Sequence, residues 1–175
     1  MERIVGLLAA VGLAVALVVH VQTFYPAGYT ITSDHPLFLA LHVGVFVVFG
    51  PYILALKTRL GTNTGLTAQL SVFPLWGRAL IIIASIYAFV NFALFLFGQG
   101  GTPEIRNGQF VLVDHGKLIR ALSEQEYDSI RSHVTRGFSG HWMLFYLVPM
   151  LYFWFGTTSP QSETSRQSSS PDADN

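Results

Sequence analysis

Three of the chain's six histidines lie in or at the end of long apolar runs, where an imidazole is costly unless it has work or a partner. They are His20, His42 and His141, and Asn91 is a further polar group in the third such run. A neutral imidazole offers one lone pair. Two on facing helices can ligate a b-type haem, and three can hold a metal ion or meet a quinone head. His20, His42 and His141 are therefore the cofactor-binding candidates, with haem b, a quinone or a metal ion as the group. The spacing carries no diagnostic signature. There is no His-Glu-x-x-His and no carboxylate inside any apolar run. Histidines near a membrane interface also bond to water, backbone or one another and pack helices, and that reading is the one favoured from sequence.

The remaining polar residues point to no reaction. His115 lies in the turn signal Asp114-His115-Gly116, where it bonds its own backbone or joins Asp114 at a metal. His35, before Pro36, and His133 are expected in solvent. Arg78 suits a lipid headgroup or quinone, or snorkels to the interface. Gly98 to Gly101 is no phosphate loop, since no Lys-Ser/Thr follows. Ser139 and His141 are two apart without an acid or a nucleophile elbow. Asp34, Glu104 and Asp114 are loop carboxylates with no defined pairing. No residue is assigned as catalytic. Zero net charge removes the electrostatic case for nucleic acid, and the absence of cysteine removes disulfides, iron–sulfur clusters and thiol nucleophiles.

The elements that must position these groups are apolar helices. Hydrophobic residues make up 51% of the chain and charged ones 11%, well below the quarter of a soluble domain, with a mean hydropathy of +0.45. Four spans are expected, at 4–24, 37–56, 75–97 and 138–155, each near the ~20 residues that cross a ~30 Å hydrocarbon core. The first resembles a signal peptide, with Ala14-Val15-Ala16 as a cleavage-like site. Leu17-Val18-Val19 continues the apolar run there, so an uncleaved helix is expected. Gly12, Ala16 and His20 form a small-residue stripe that turns His20 into the bundle. Arg3, Lys57, Arg59 and Arg78 flank the N-terminus and second loop, whereas 22–36 holds no lysine or arginine. Both termini are therefore expected in the cytoplasm. That topology places His20, His42 and His141 within about one or two helical turns of the outer surface.

Between the third and fourth spans, 99–137 is expected to fold as an extramembrane cap. Gly100-Gly101-Thr102-Pro103 breaks the helix, and 109–113 and 117–122 form a β-hairpin about the Asp-His-Gly turn. Ser123-Glu-Gln-Glu126 is a capping box opening a short helix to about Thr135, with Tyr127, Ile130 and Val134 on one face. The Ser/Thr-rich tail 157–175 is expected to be disordered.

Gly101-Thr-Pro103-Glu, Gly108-Gln-Phe110-Val-Leu112-Val-Asp-His115-Gly116, Leu122-Ser-Glu-Gln-Glu126-Tyr127 and Arg136-Gly-Phe-Ser139-Gly140-His141-Trp142 resemble a pattern in small uncharacterised bacterial four-helix membrane proteins. The resemblance covers roughly residues 101 to 146. It implies a bacterial cytoplasmic membrane and nothing catalytic, and it makes His115, Glu126, Tyr127 and His141 preferred positions for a shared role. The fold expected is thus an all-α, four-transmembrane-helix bundle with a small hairpin-and-helix cap. Its expected function is that of a non-enzymatic membrane subunit or interaction protein meeting a membrane partner through the cap. The alternatives are a haem b-, quinone- or metal-binding redox protein, or a small transporter or channel.

Overall fold

The computed structural model describes residues 2–25, 31–62, 65–98 and 100–156. The helices are α1 (Glu2–Gln22), α2 (Pro36–Leu60), α3 (Leu66–Ser71), α4 (Leu75–Gly98) and α5 (Glu124–Phe155). Strands β1 (Thr102–Arg106), β2 (Gln109–Asp114) and β3 (Lys117–Ala121) connect α4 to α5. The expected tail, 157–175, lies outside the described residues.

Three helices, α1, α2 and α4, are long and apolar enough to cross a membrane. Their outward side chains are large and bare: Leu7 and Val11 on α1, Leu39 and Phe46 on α2, Ile83 and Phe89 on α4. A water-soluble monomer does not tolerate so much contiguous apolar surface, so these helices suit membrane association. Pro51 lies inside α2, which nonetheless runs on to Leu60. The short α3 in the second connection was not foreseen.

The fourth helix differs. Where a short cap helix and a separate span were expected, α5 is one continuous helix of 32 residues. At 1.5 Å per residue it is about 48 Å long, well beyond a ~30 Å hydrocarbon core. Gly137, where the two were expected to part, stays helical for a packing reason. A Cβ there would lie 2.5 Å from Phe95 Cγ, so the missing side chain admits α4 rather than ending α5. The lower half of α5 is the central helix, packed against α1, α2 and α4. Tyr146 anchors it, seated where a Cβ on Gly12 or Gly44 would approach its ring or hydroxyl to 2.2 Å, with its hydroxyl donating to Leu41 O at 2.8 Å.

Between α4 and α5 the expected hairpin is present but is part of a three-stranded antiparallel sheet in the order β1-β2-β3. The additional strand carries Pro103, tolerated because β1 is an edge. Both turns have two residues at positive φ, Asn107 and Gly108 (52° and 77°), then His115 and Gly116 (46° and 82°), the geometry that matches strand twist. Leu112, Leu122 and Tyr127 form a small core between sheet and helix. The Ser123–Glu126 capping box forms as the spacing predicts. Arg131 of α5 reaches back to the α1–α2 connection, donating to Thr32 Oγ1 at 2.6 Å and pairing with Asp34.

Candidate functional site

The three candidate histidines, His20, His42 and His141, occupy two places, not one. His20 sits buried in a polar hub between α1, α4 and α5, with Tyr87 and Phe24 on its exposed side. Its Nδ1 lies 2.7 Å from Ser139 Oγ and its Nε2 meets the Tyr87 hydroxyl. The protons can be assigned by matching donors to acceptors. Ser139 Oγ donates to Arg136 O at 3.1 Å, so it accepts from His20 Nδ1–H, which leaves Nε2 to accept from Tyr87. Arg136 Nε donates to Thr23 Oγ1 at 3.1 Å, its Nη2 donates to Thr23 O at 2.5 Å, and its guanidinium stands 4.2 Å from the centre of the Phe24 ring. Asn91 donates to Arg136 O at 2.7 Å, close to where a Gly140 Cβ would be (2.5 Å), so that glycine makes room for the amide.

Both nitrogens of His20 are used, and the residue is 4% exposed. Ser139 accepts a hydrogen bond from the imidazole and gives its own O–H to a backbone carbonyl, and it is fully buried. That is the reverse of an activated serine. The hub is a lock: its hydrogen bonds tie three helices together.

His42 and His141 line a different feature, an open groove of about 260 Å³ over α5. From α2 come His42, Val45 and Phe46, and from α4 comes Phe92. The floor is Phe138, His141, Trp142 and Phe145, an i, i+3, i+4, i+7 stripe of α5. Each imidazole donates from Nδ1 to the carbonyl one turn earlier on its own helix, His42 to Phe38 O at 3.2 Å and His141 to Gly137 O at 3.0 Å. A carbonyl can only accept, so both rings carry a proton on Nδ1. Among the described residues neither Nε2 has a hydrogen-bond partner. Trp142 packs edge-on to His42 at 5.0 Å and Phe92 edge-on to His141 at 4.6 Å, which fixes both rings in place.

The remaining candidates are scattered. His115 is an exposed turn residue bonded to the Asp114 carboxylate at 2.7 Å, rather than to its own backbone. Arg78 turns back on the α3–α4 connection, donating to Phe73 O at 2.8 Å and Ser71 O at 3.2 Å. Glu126 closes the capping box and pairs with Arg120 at 2.8 Å. The backbone N–H of Ser123, and then Arg120, hold its carboxyl below the usual carboxylate range. Tyr127 packs against Phe110 with ring centres 4.6 Å apart and planes tilted by 36°. His35, expected in solvent, caps α2 by accepting from Leu37 N at 3.1 Å. His133, also expected in solvent, has Nε2 buried beside Gly98. The loop carboxylates left unpaired by the sequence acquire partners: Asp34 with Arg131, Glu104 with Arg106, Asp114 with His115. No group of three or more His, Cys, Asp or Glu able to hold a metal occurs among the described residues.

Sequence reasoning missed Thr23, Tyr87 and Arg136. Tyr87 and Asn91 are four apart on α4, a same-face polar pair inside an apolar helix, and that spacing was the available signal. Comparison with family models, curated proteins and solved structures finds no match for this chain.

Proposed function

We propose that this is a four-span protein of the bacterial cytoplasmic membrane, with both termini in the cytoplasm and the lower half of α5 as its fourth span. It serves as a non-enzymatic membrane component that presents the β1–β3 lid, on the outer side, to a membrane-protein partner. The continuity of α5 carries this reading. One helix holds the lid's small core at its start and the bundle's centre at its end, so a partner on the lid acts directly on the membrane helices. Arg131 braces the junction from the side. Strand β3 is exposed throughout, Leu118 and Ile119 included, and is the free edge opposite β1.

The chain contains no cysteine, so single cysteines can be introduced without background. His115→Cys should react with a membrane-impermeant maleimide in intact cells, and Thr58→Cys only after permeabilisation. The opposite pattern, or a protein removed from membranes by carbonate, ends the topological reading. A photo-crosslinker at Leu118 should then give one discrete membrane-protein adduct, and failure to do so removes the partner role while leaving the topology standing.

A further inference from the structure

We infer that the cleft between the lid and the first turns of α5 holds the phosphate of an anionic phospholipid of the outer leaflet. The inference rests on the bilayer reading above, because the cleft meets headgroups only if α4 crosses the membrane and ends at its surface.

The cleft has a volume of about 430 Å³ and opens where α4 ends, at Gly98. That is within the roughly 300–1,000 Å³ of small-molecule sites. Leu112 and Arg120 are register partners on β2 and β3, so both stand on the sheet face turned to α5. Ser129, Ile130 and His133 form the facing wall.

Charge and donor geometry select the head. Arg120 carries the one fixed charge among the lining residues, and no carboxylate is among them. Its Nη1 donates to Glu126 at 2.8 Å and to Ala121 O at 3.2 Å, which orients the guanidinium. Nε and Nη2 have no partner among the described residues, and they are the parallel fork that takes two oxygens of a phosphate. Across the cleft, the exposed Ser129 hydroxyl adds a donor. His133 Nε2 is unpartnered among the described residues, beside Gly98, whose Cβ would stand 3.1 Å from it. No hydrogen bond fixes the tautomer there, so the ring can give an anion its proton.

The surroundings select a lipid over a free anion. Phe95 lies between the cleft and the apolar groove, its ring centre 6.4 Å from that of His133 and 5.6 Å from that of Phe138. The α5 axis advances about 12 Å from His133 to His141, a distance that a glycerol backbone and the first methylenes cover. Phe92, Phe138 and Phe145 of the groove then flank an acyl chain. A cationic recess outside an apolar groove has the order of an outer-leaflet lipid, head outward and tail toward the midplane.

The test uses the full-length protein in nanodiscs of phosphatidylcholine with phosphatidylglycerol as a minor component, released into native mass spectrometry. One phosphatidylglycerol should stay bound. Arg120→Gln should weaken its binding about tenfold or more, as loss of a charged, two-pronged contact requires. Ser129→Leu fills the cleft without removing either member of the Arg120–Glu126 pair, and it should also release the lipid. Leucine suits a helix, and a thermal melt close to the parent's would show both variants folded. Lys117→Gln removes an exposed cation of the same strand outside the cleft lining and should change nothing. Equal loss in Lys117→Gln would reduce the effect to general charge attraction and overturn the site. Retention surviving both cleft variants, no retention by the parent, or equal retention of phosphatidylcholine would overturn it too. Excess inorganic phosphate should leave the lipid in place, and displacement would make this a free-anion site instead. Cysteine labelling separates the failures. If His115→Cys is still accessible only from outside, the site falls alone, and if it is not, the bilayer reading falls with it.

Discussion

The hub around His20 and the groove around His42 and His141 use the same side chain at similar depth and reach opposite outcomes. In the hub, the imidazole bonds across helices with both nitrogens, to Ser139 of α5 and Tyr87 of α4, and Arg136 of α5 reaches Thr23 beyond the end of α1. In the groove, each imidazole hydrogen-bonds only to its own helix among the described residues, and its remaining contacts are with aromatic rings. The lesson concerns where the partner comes from. A histidine bonded across helices stores its interaction free energy in the fold, whereas one bonded to its own backbone ties down no second helix.

The contrast is broken most directly by mutation of the hub. His20→Ala deletes a buried ring and strands the Tyr87 hydroxyl, so it should cost about 2–4 kcal/mol of stability. Thermal denaturation in detergent measures it, and a variant as stable as the parent would show that the hub holds nothing together. Ser139→Ala removes one interhelical bond and should cost less, about 0.6–1.7 kcal/mol. In a double-mutant cycle its effect should largely vanish once His20 is alanine, since the two act as one unit. Additive losses would mean the network is not coupled.

The groove should behave otherwise. His42→Ala and His141→Ala each remove a ring that is partly exposed and bonded to its own helix, so each should cost under about 1 kcal/mol. If either destabilised the protein as much as His20→Ala, the groove histidines would be packing elements and the distinction between the two regions would disappear.

The sequence made part of this legible. The Gly12, Ala16, His20 stripe placed His20 in the bundle, and the structure buries both Ala16 and His20. Depth alone, however, grouped His20 with His42 and His141. What separates them is direction around α5. Ser139 and His141 are two residues apart, hence about 200° around the helix, so the first meets α1 and the second faces the groove. That angle becomes meaningful only once it is known which helix flanks α5 on each side, information that no local pattern holds. The continuity of α5 through Gly137 was hidden for a similar reason, since that glycine reads as a stop until Phe95 is seen against it. Strand β1 was different. Asn107-Gly108 is a strong two-residue hairpin signal in the sequence itself, and the strand preceding it was legible there.

The smallest effect expected asks whether the contrast is confined to the bundle, using the lid as the control. Glu126 accepts from Ser123 N–H and pairs with Arg120, and its carboxyl is held below the usual range, first by the backbone bond and then by the arginine. A carboxyl depressed in the folded state contributes stability above its unfolded value and loses it as pH falls through the folded one. Protection from hydrogen exchange in the first turns of α5, relative to the intrinsic rate at each pH, should therefore fall on acidification through and below the ordinary carboxylate range, and Glu126→Gln should flatten that dependence. Glu126→Gln should leave exchange around the hub unchanged, because no carboxylate bonds to the hub's groups. A Glu126→Gln variant that altered protection at the amides around Ser139 would mean that the continuous α5 helix couples lid and hub, and the two could no longer be treated as independent regions.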